Sequence, residues 1–112
     1  MKPLLVASLQ HTGTMFVYDL LPGLHGSFHT IEEGHKYRAH YGEPGLAEMM
    51  EKCFTIVPRR SYFQVVRSWK RRNMDMRELY SQWGWYYSLK DVFFLQIDSP
   101  DRDHGWRLYL KR

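Results

Sequence analysis

The stretch LLVASL at residues 4–9 decides the fold, because it is an unbroken apolar run that passes directly into the polar turn QHTGT at residues 10–14. Unbroken hydrophobicity over so few residues is typical of a strand buried on both faces, as in a parallel sheet covered by helices. A helix is predicted from about residue 14 to residue 21, where Pro22 and Gly23 end it. The sequence therefore predicts a strand, a polar turn and a helix in immediate succession.

A second unit of the same kind begins at CFTIVP, residues 53–58, and continues into two arginines, Arg59 and Arg60. Ser61 is predicted to cap the next helix, whose apolar face is assigned to Phe63, Val65 and Val66. Backbone N–H groups at a helix N-terminus attract anions, because they lack partners and lie at the positive end of the helix dipole. Two such turns in one small domain predict a ligand with two separated anionic groups.

The rest of the chain alternates between helix and strand signals. Residues 24–34, rich in Gly and His, are predicted to form a loop, and residues 36–40 a short strand. Pro44 is placed at the start of a helix that runs to about residue 52, and Asp75 at the cap of one that runs to about residue 89. A strand follows at DVFFLQID, residues 91–98, and Pro100 opens a C-terminal helix. This order predicts an α/β domain over residues 1–112: a three-layer sandwich with a small parallel sheet and right-handed crossovers.

Composition narrows the class of protein. Hydrophobic residues make up 44% of the 112 residues and aromatic residues 16%, which favours a globular chain over a disordered one. The lone Cys53 excludes an intramolecular disulfide and is predicted to be a buried thiol in a reducing compartment. No apolar run approaches the ~20 residues that a membrane span needs, so we expect a cytoplasmic protein without membrane contact. The net charge of +4, with six Lys and Arg side chains within residues 59–72, indicates an anionic ligand or partner.

The two polar turns, taken together with a histidine between them, resemble the sulfotransferases that use 3′-phosphoadenosine 5′-phosphosulfate (PAPS). In that family a strand leads into a loop of the type Pro-Lys-Ser-Gly-Thr-Thr-Trp, and residues 10–16 of this chain take its position. A later strand leads into an Arg with a Ser eight residues on, matched here by Arg60 and Ser68. A family histidine about twenty residues before that Arg is matched by His40. The chain therefore resembles a P-loop-like, sulfotransferase-type fold over roughly residues 3–72.

The resemblance implies a PAPS site and a role for each matched residue. His40 is the implied general base, and His11 the group nearest the leaving oxygen. Arg60 and Ser68 are implied to hold the 3′-phosphate, and Phe16 either lies beside the adenine or packs in the core. The implied cofactor-binding residues are Gln10, His11, Thr12, Gly13, Thr14, Met15, Phe16, Arg60 and Ser68.

The chain also departs from the family. His11 stands where the family has a lysine, and Met15 where it has a threonine. A minimal or specialised member, for example one encoded by a compact phage genome, fits this pattern. The acceptor is not indicated, and a homodimer that completes the cofactor site remains an option.

Three functions stay open on the sequence. The first is a PAPS-dependent sulfotransferase, and the second is a non-catalytic nucleotide- or anion-binding or host-interaction module of the same fold. The third is a basic nucleic-acid-binding protein, in which the arginine-rich segment and the aromatic residues downstream hold a single strand. This third function is disfavoured by the order of the three motifs. The histidines at residues 25, 29, 35 and 40 match no established zinc spacing, so no metal is expected.

Overall fold

A computed structural model describes residues 2–9, 12, 14–26 and 30–97. Within these residues, five parallel strands form one sheet in the order β2-β3-β1-β4-β5. The strands are β1 (Leu4–Ser8), β2 (Leu24–His25), β3 (His35–His40), β4 (Phe54–Arg59) and β5 (Phe93–Gln96). The predicted α/β class with a small parallel sheet is confirmed, while the finer sulfotransferase-type architecture stays a prediction. The predicted C-terminal helix at Pro100 lies outside the described residues.

Helices cover both faces of the sheet. They are α1 (Thr14–Leu20), α2 (Leu46–Lys52), α3 (Tyr62–Arg71) and α4 (Met76–Tyr87). Alternate side chains of a strand point to opposite faces, and β1 divides accordingly. Leu4 and Val6 pack in one cluster with Val17 of α1, whereas Leu5 and Ala7 pack in a second cluster with residues of α2, α3 and α4. The continuous apolar run of β1 therefore reflects burial on both faces.

The strand β2 corrects the prediction of a loop over residues 24–34. Leu24 donates its backbone N–H to the carbonyl of Gly34 at 3.0 Å, and Gly26 donates to the carbonyl of Lys36 at 3.0 Å. Both side chains of this two-residue strand are exposed, so it leaves no hydrophobic pattern in the sequence. Backbone hydrogen bonds to β3 form it, and these depend on a partner that sequence periodicity does not reveal.

Of the helix starts predicted from Pro44, Ser61 and Asp75, only the cap of α4 is confirmed. Pro44 does not open α2, because Gly45 takes a left-handed conformation (φ 83°) and the helix begins at Leu46. Ser61 makes no side-chain capping bond at the start of α3, whereas Asp75 does cap α4 by accepting the backbone N–H of Arg77 at 2.9 Å. Phe63 was assigned to the apolar face of α3 and is 78% exposed.

The buried face of α3 is instead formed by Val65 and Trp69. Phe63 lies two residues before Val65, which turns it to the far side of the helix. Across the described part of the chain, we find no helix with the length and apolar character to cross a bilayer.

Cys53, at the end of α2, is a buried thiol, as predicted. Burial raises the pKa of Cys53 to about 11. Since the thiolate is the reactive form, we expect alkylation by iodoacetamide at pH 8 to be roughly 100-fold slower in the folded chain than in the urea-unfolded chain. Mass spectrometry of timed samples measures both rates, and equal rates would contradict the buried position.

Candidate functional site at the carboxyl edge

The candidate site lies where the carboxyl ends of β3, β1 and β4 meet. All strands are parallel, so their carboxyl ends lie at one edge of the sheet. The chain leaves β1 toward α1 on one face and leaves β4 toward α3 on the other. Neighbouring strands whose connections leave on opposite faces open a crevice, which is where open α/β sheets bind ligands. Thr12 and Thr14 of the turn after β1, His40 and Arg60 were all predicted for a site, and all follow or end strands at this edge.

Three polar side chains form a hydrogen-bonded chain at the ends of β1 and β3. The hydroxyls of Ser8 and Thr14 are 2.6 Å apart, and Ser8 Oγ lies 3.4 Å from Nδ1 of His40. Ser8 and His40 are paired across the two strands, so the sheet register brings them together. Ser8 was not predicted as a site residue. The signal that could have identified it is a polar residue near the end of an apolar strand. In the structure Ser8 is fully buried.

The hydrogen bonds of His40 define the state of its ring. Nδ1 lies 3.1 Å from the backbone carbonyl of Ser8, which can only accept. Nδ1 therefore carries the proton in the neutral ring, and Nε2 holds the lone pair. The backbone N–H of His40 donates to the Glu43 carboxylate at 3.1 Å, which fixes the strand end from the other side. Within the described residues, Nε2 has no hydrogen-bond partner, so the nitrogen able to accept a proton is the one left unused.

The turn after β1 is only partly described. Thr12 is buried, and its hydroxyl donates to the carbonyl of Leu9 at 2.6 Å. A hydroxyl has a single proton, so that of Thr12 closes the turn in this structure, and the predicted role of Thr12 in cofactor binding stays a prediction. Thr14, the first residue of α1, is bonded to Ser8. Gln10, His11 and Gly13 lie outside the described residues, and their predicted roles stay predictions.

Arg60 and Ser68 each have a partner one helical turn ahead. Nε of Arg60 donates to the side-chain carbonyl of Gln64 at 2.8 Å, and Ser68 Oγ accepts from Arg72 at 2.6 Å. Both residues are half-buried, and their convergence on one phosphate stays a prediction. The neighbouring Arg59 stacks on the rings of Tyr87 and Phe94, with its guanidinium carbon 4.6 Å and 5.6 Å from their centroids.

Two further predicted residues lie on the first turn of α1. Phe16 is 45% exposed, so the alternative that it packs in the core is wrong. Met15 is equally exposed and contacts the guanidinium of Arg38 through its sulfur. Beside it, the structure has a cleft of about 270 Å³ that the sequence did not predict, lined by Met15, Tyr18, His25, Gly26 and Arg38.

The described histidines are engaged separately. His25 bonds to the Tyr18 hydroxyl, His35 lies near Glu32 and the Glu33 carbonyl, and His40 bonds to Ser8. Among residues 2–9, 12, 14–26 and 30–97, no group of three or more His, Cys, Asp or Glu side chains is arranged to hold a metal ion. His29 lies outside these ranges.

No protein-family model matches this chain, and neither a curated protein nor a solved structure matches it significantly. Function is therefore inferred from the chemistry of the carboxyl edge.

Proposed function

We propose that this chain binds PAPS at the carboxyl edge and transfers the sulfuryl group to a hydroxyl or amine acceptor. The observation that supports this most is the state of His40. Its Nδ1 is committed to the Ser8 carbonyl, and its Nε2 has no partner within the described residues. A histidine with a defined tautomer at a ligand-binding edge is suited to general base catalysis near neutral pH.

In this proposal PAPS supplies the activated sulfuryl group, and the chain supplies a base and anion-binding groups. Nε2 of His40 would take the proton from the acceptor as its oxygen or nitrogen attacks the sulfur of PAPS. The S–O bond to the 5′-phosphate would break at the same time, and 3′-phosphoadenosine 5′-phosphate would leave. Ser8, which is bonded to both Thr14 and His40, holds the base in place. Such positioning lowers the barrier because the reacting groups are oriented before the reaction begins.

Arg60 is proposed to bind the 3′-phosphate. Its guanidinium is permanently charged and forked, which suits two-pronged binding of a phosphate. It directly follows β4 at the same edge as His40. The predicted contribution of Ser68 belongs to the same phosphate.

Calorimetric titration with 3′-phosphoadenosine 5′-phosphate (PAP) tests this function. We expect PAP to bind the wild-type chain at least about tenfold more tightly than 5′-AMP, because Arg60 makes a charge-assisted bond to the 3′-phosphate. Arg60→Ala is expected to remove this preference. Arg77→Ala is the matched control, since Arg77 is a highly exposed arginine on α4 whose partner is Asp75. Equal binding of PAP and 5′-AMP, or an unchanged preference in Arg60→Ala, would contradict the proposal.

A second function, single-strand nucleic-acid binding, is favoured by a separate surface. Tyr62, Phe63 and Tyr80 are exposed on α3 and α4, and α3 also exposes three basic side chains, Arg67, Lys70 and Arg71. Exposed aromatic and basic side chains together bind single strands through stacking and phosphate contacts. Titration with a labelled oligothymidylate distinguishes the two functions. Salt-sensitive oligonucleotide binding without any PAP binding would favour this second function.

A further inference from the structure

The cleft beside α1 is lined by residues that neighbour the carboxyl edge along the chain. Met15, on one wall, directly follows Thr14, whose hydroxyl bonds to Ser8. Arg38, on the other wall, lies two residues before His40 in β3. Residues two apart on a strand share a face and lie about 7 Å apart. The Arg38 side chain in the cleft and the His40 side chain at the carboxyl edge are therefore neighbours on the face of β3 that packs against α1.

The side chains that line the cleft are suited to binding a small, flat anion. The Tyr18 ring and Met15 supply apolar walls, and the Arg38 guanidinium carbon lies 5.6 Å from the centroid of that ring. The Tyr18 hydroxyl is 2.6 Å from Nδ1 of His25, so these two polar groups satisfy each other. Arg38, in contrast, has no carboxylate partner among the described residues. The Arg38 guanidinium is therefore the charged group in the cleft with which an anionic ligand can form an ion pair.

The amount of charge favours a carboxylate over a phosphate dianion. Arg38 is the one permanently charged side chain among the described cleft residues. Lys36, nearby on the same face of β3, is buried and already donates to the carbonyls of Tyr18 and Leu21. One forked guanidinium matches one carboxylate in both charge and geometry.

We propose that the cleft between α1 and β3 binds the acceptor, and that the acceptor is a small phenolic or other hydroxy compound with a carboxylate held by Arg38. This inference rests on the proposed function for the reaction at the hydroxyl, but the binding of the carboxylate stands independently. The hydroxyl, about one ring away from the carboxylate, faces Nε2 of His40.

Binding of 4-hydroxyphenylacetate and of its methyl ester, measured by calorimetry without any nucleotide, tests the cleft. We expect the acid to bind at least about tenfold more tightly than the ester, and Arg38→Gln to lose about the same factor for the acid only. Arg38→Lys keeps the charge without the fork and is expected to be intermediate. Arg77→Gln, on the exposed face of α4, is the control and should bind as the wild type does.

The outcomes separate this inference from the proposed function. Acid and ester binding equally, no binding of the acid, or full binding by Arg38→Gln would overturn the inference, even where PAP binds as proposed. Acid-selective binding that depends on Arg38 supports the inference even where PAP does not bind. Circular dichroism of each variant shows that a loss of binding is not a loss of fold.

Discussion

His40→Asn is expected to lower the rate of sulfuryl transfer by at least about 100-fold, which is the usual contribution of a positioned general base. Asparagine is the sharpest substitution at this position. Its amide N–H can take the place of Nδ1–H and still donate to the Ser8 carbonyl, while the acceptor nitrogen Nε2 is removed. The affinity for PAP should not change, because His40 is not proposed to hold the nucleotide. Transfer of radiolabelled sulfuryl from PAPS to the best phenolic acceptor measures the rate, and calorimetry measures the affinity.

His35→Asn is the matched control, since it makes the same substitution at the other end of the same strand. The His35 ring lies 3.1 Å from the Glu33 carbonyl and 3.6 Å from the Glu32 carboxylate, away from the carboxyl edge. We expect it to retain the wild-type rate. Full activity in His40→Asn would show that the histidine has only a structural role. Normal PAP binding by a wild-type chain that transfers nothing would instead favour the non-catalytic binding module.

The parts of the fold that could be predicted are those whose signal is local. β1 and β4 are buried on both faces, so their sequences are continuous apolar runs. Asp75 indicates the start of α4, because a capping carboxylate accepts a backbone N–H within the first turn of its own helix. β2 has no such signal, since only its backbone pairs with β3. Phe63 misled the prediction because hydrophobicity alone does not say whether a residue on a short helix faces the core.

The order of the candidate site residues along the chain could be predicted, but the hydrogen bonds between them could not. His40 was predicted from its spacing to Arg60, but its partner Ser8 is 32 residues away in the chain. That pairing depends on the parallel register of β1 and β3, which is a property of the folded sheet. The cleft at Arg38 depends in addition on the position of α1 beside β3, which only the folded chain defines. Neither feature has a pattern in the sequence.

Lys36 holds α1 against the sheet by an unusual contact for a buried lysine. Lys36 is 7% exposed, and its Nζ donates to the carbonyls of Tyr18 and Leu21 at 2.8 and 3.0 Å. These carbonyls lie at the C-terminal end of α1, where the helix dipole is negative. Nζ also lies 4.5 Å from the centroid of the Tyr18 ring. The ammonium therefore adds a charged donor at the last turn of α1, where the Tyr18 carbonyl also accepts the backbone N–H of Leu21 at 3.2 Å.

Lys36→Met is expected to lower the free energy of unfolding by about 2–4 kcal/mol. Methionine has a similar length and fills the same space, but it cannot donate. Two hydrogen bonds to a charged donor contribute roughly 1.5–3 kcal/mol each, and the relief of a buried ammonium offsets part of their loss. Urea denaturation followed by tryptophan fluorescence measures the change, since Trp69 is buried in the core. The slope of the unfolding free energy against urea concentration reports the surface exposed on unfolding. An unchanged slope would show that the folded state is otherwise intact.

Lys52→Met provides the matched control, because Lys52 donates to an exposed Glu48 carboxylate at 2.7 Å on the surface of α2. Exposed ion pairs contribute little to stability, so this variant should unfold close to the wild-type midpoint. Equal effects of the two substitutions would mean that the buried contact of Lys36 is not what holds α1. If the effects differ as expected, Lys36→Met should also weaken binding at the cleft. The reason is that α1 carries Thr14, which bonds to Ser8, and Met15, which lines the cleft.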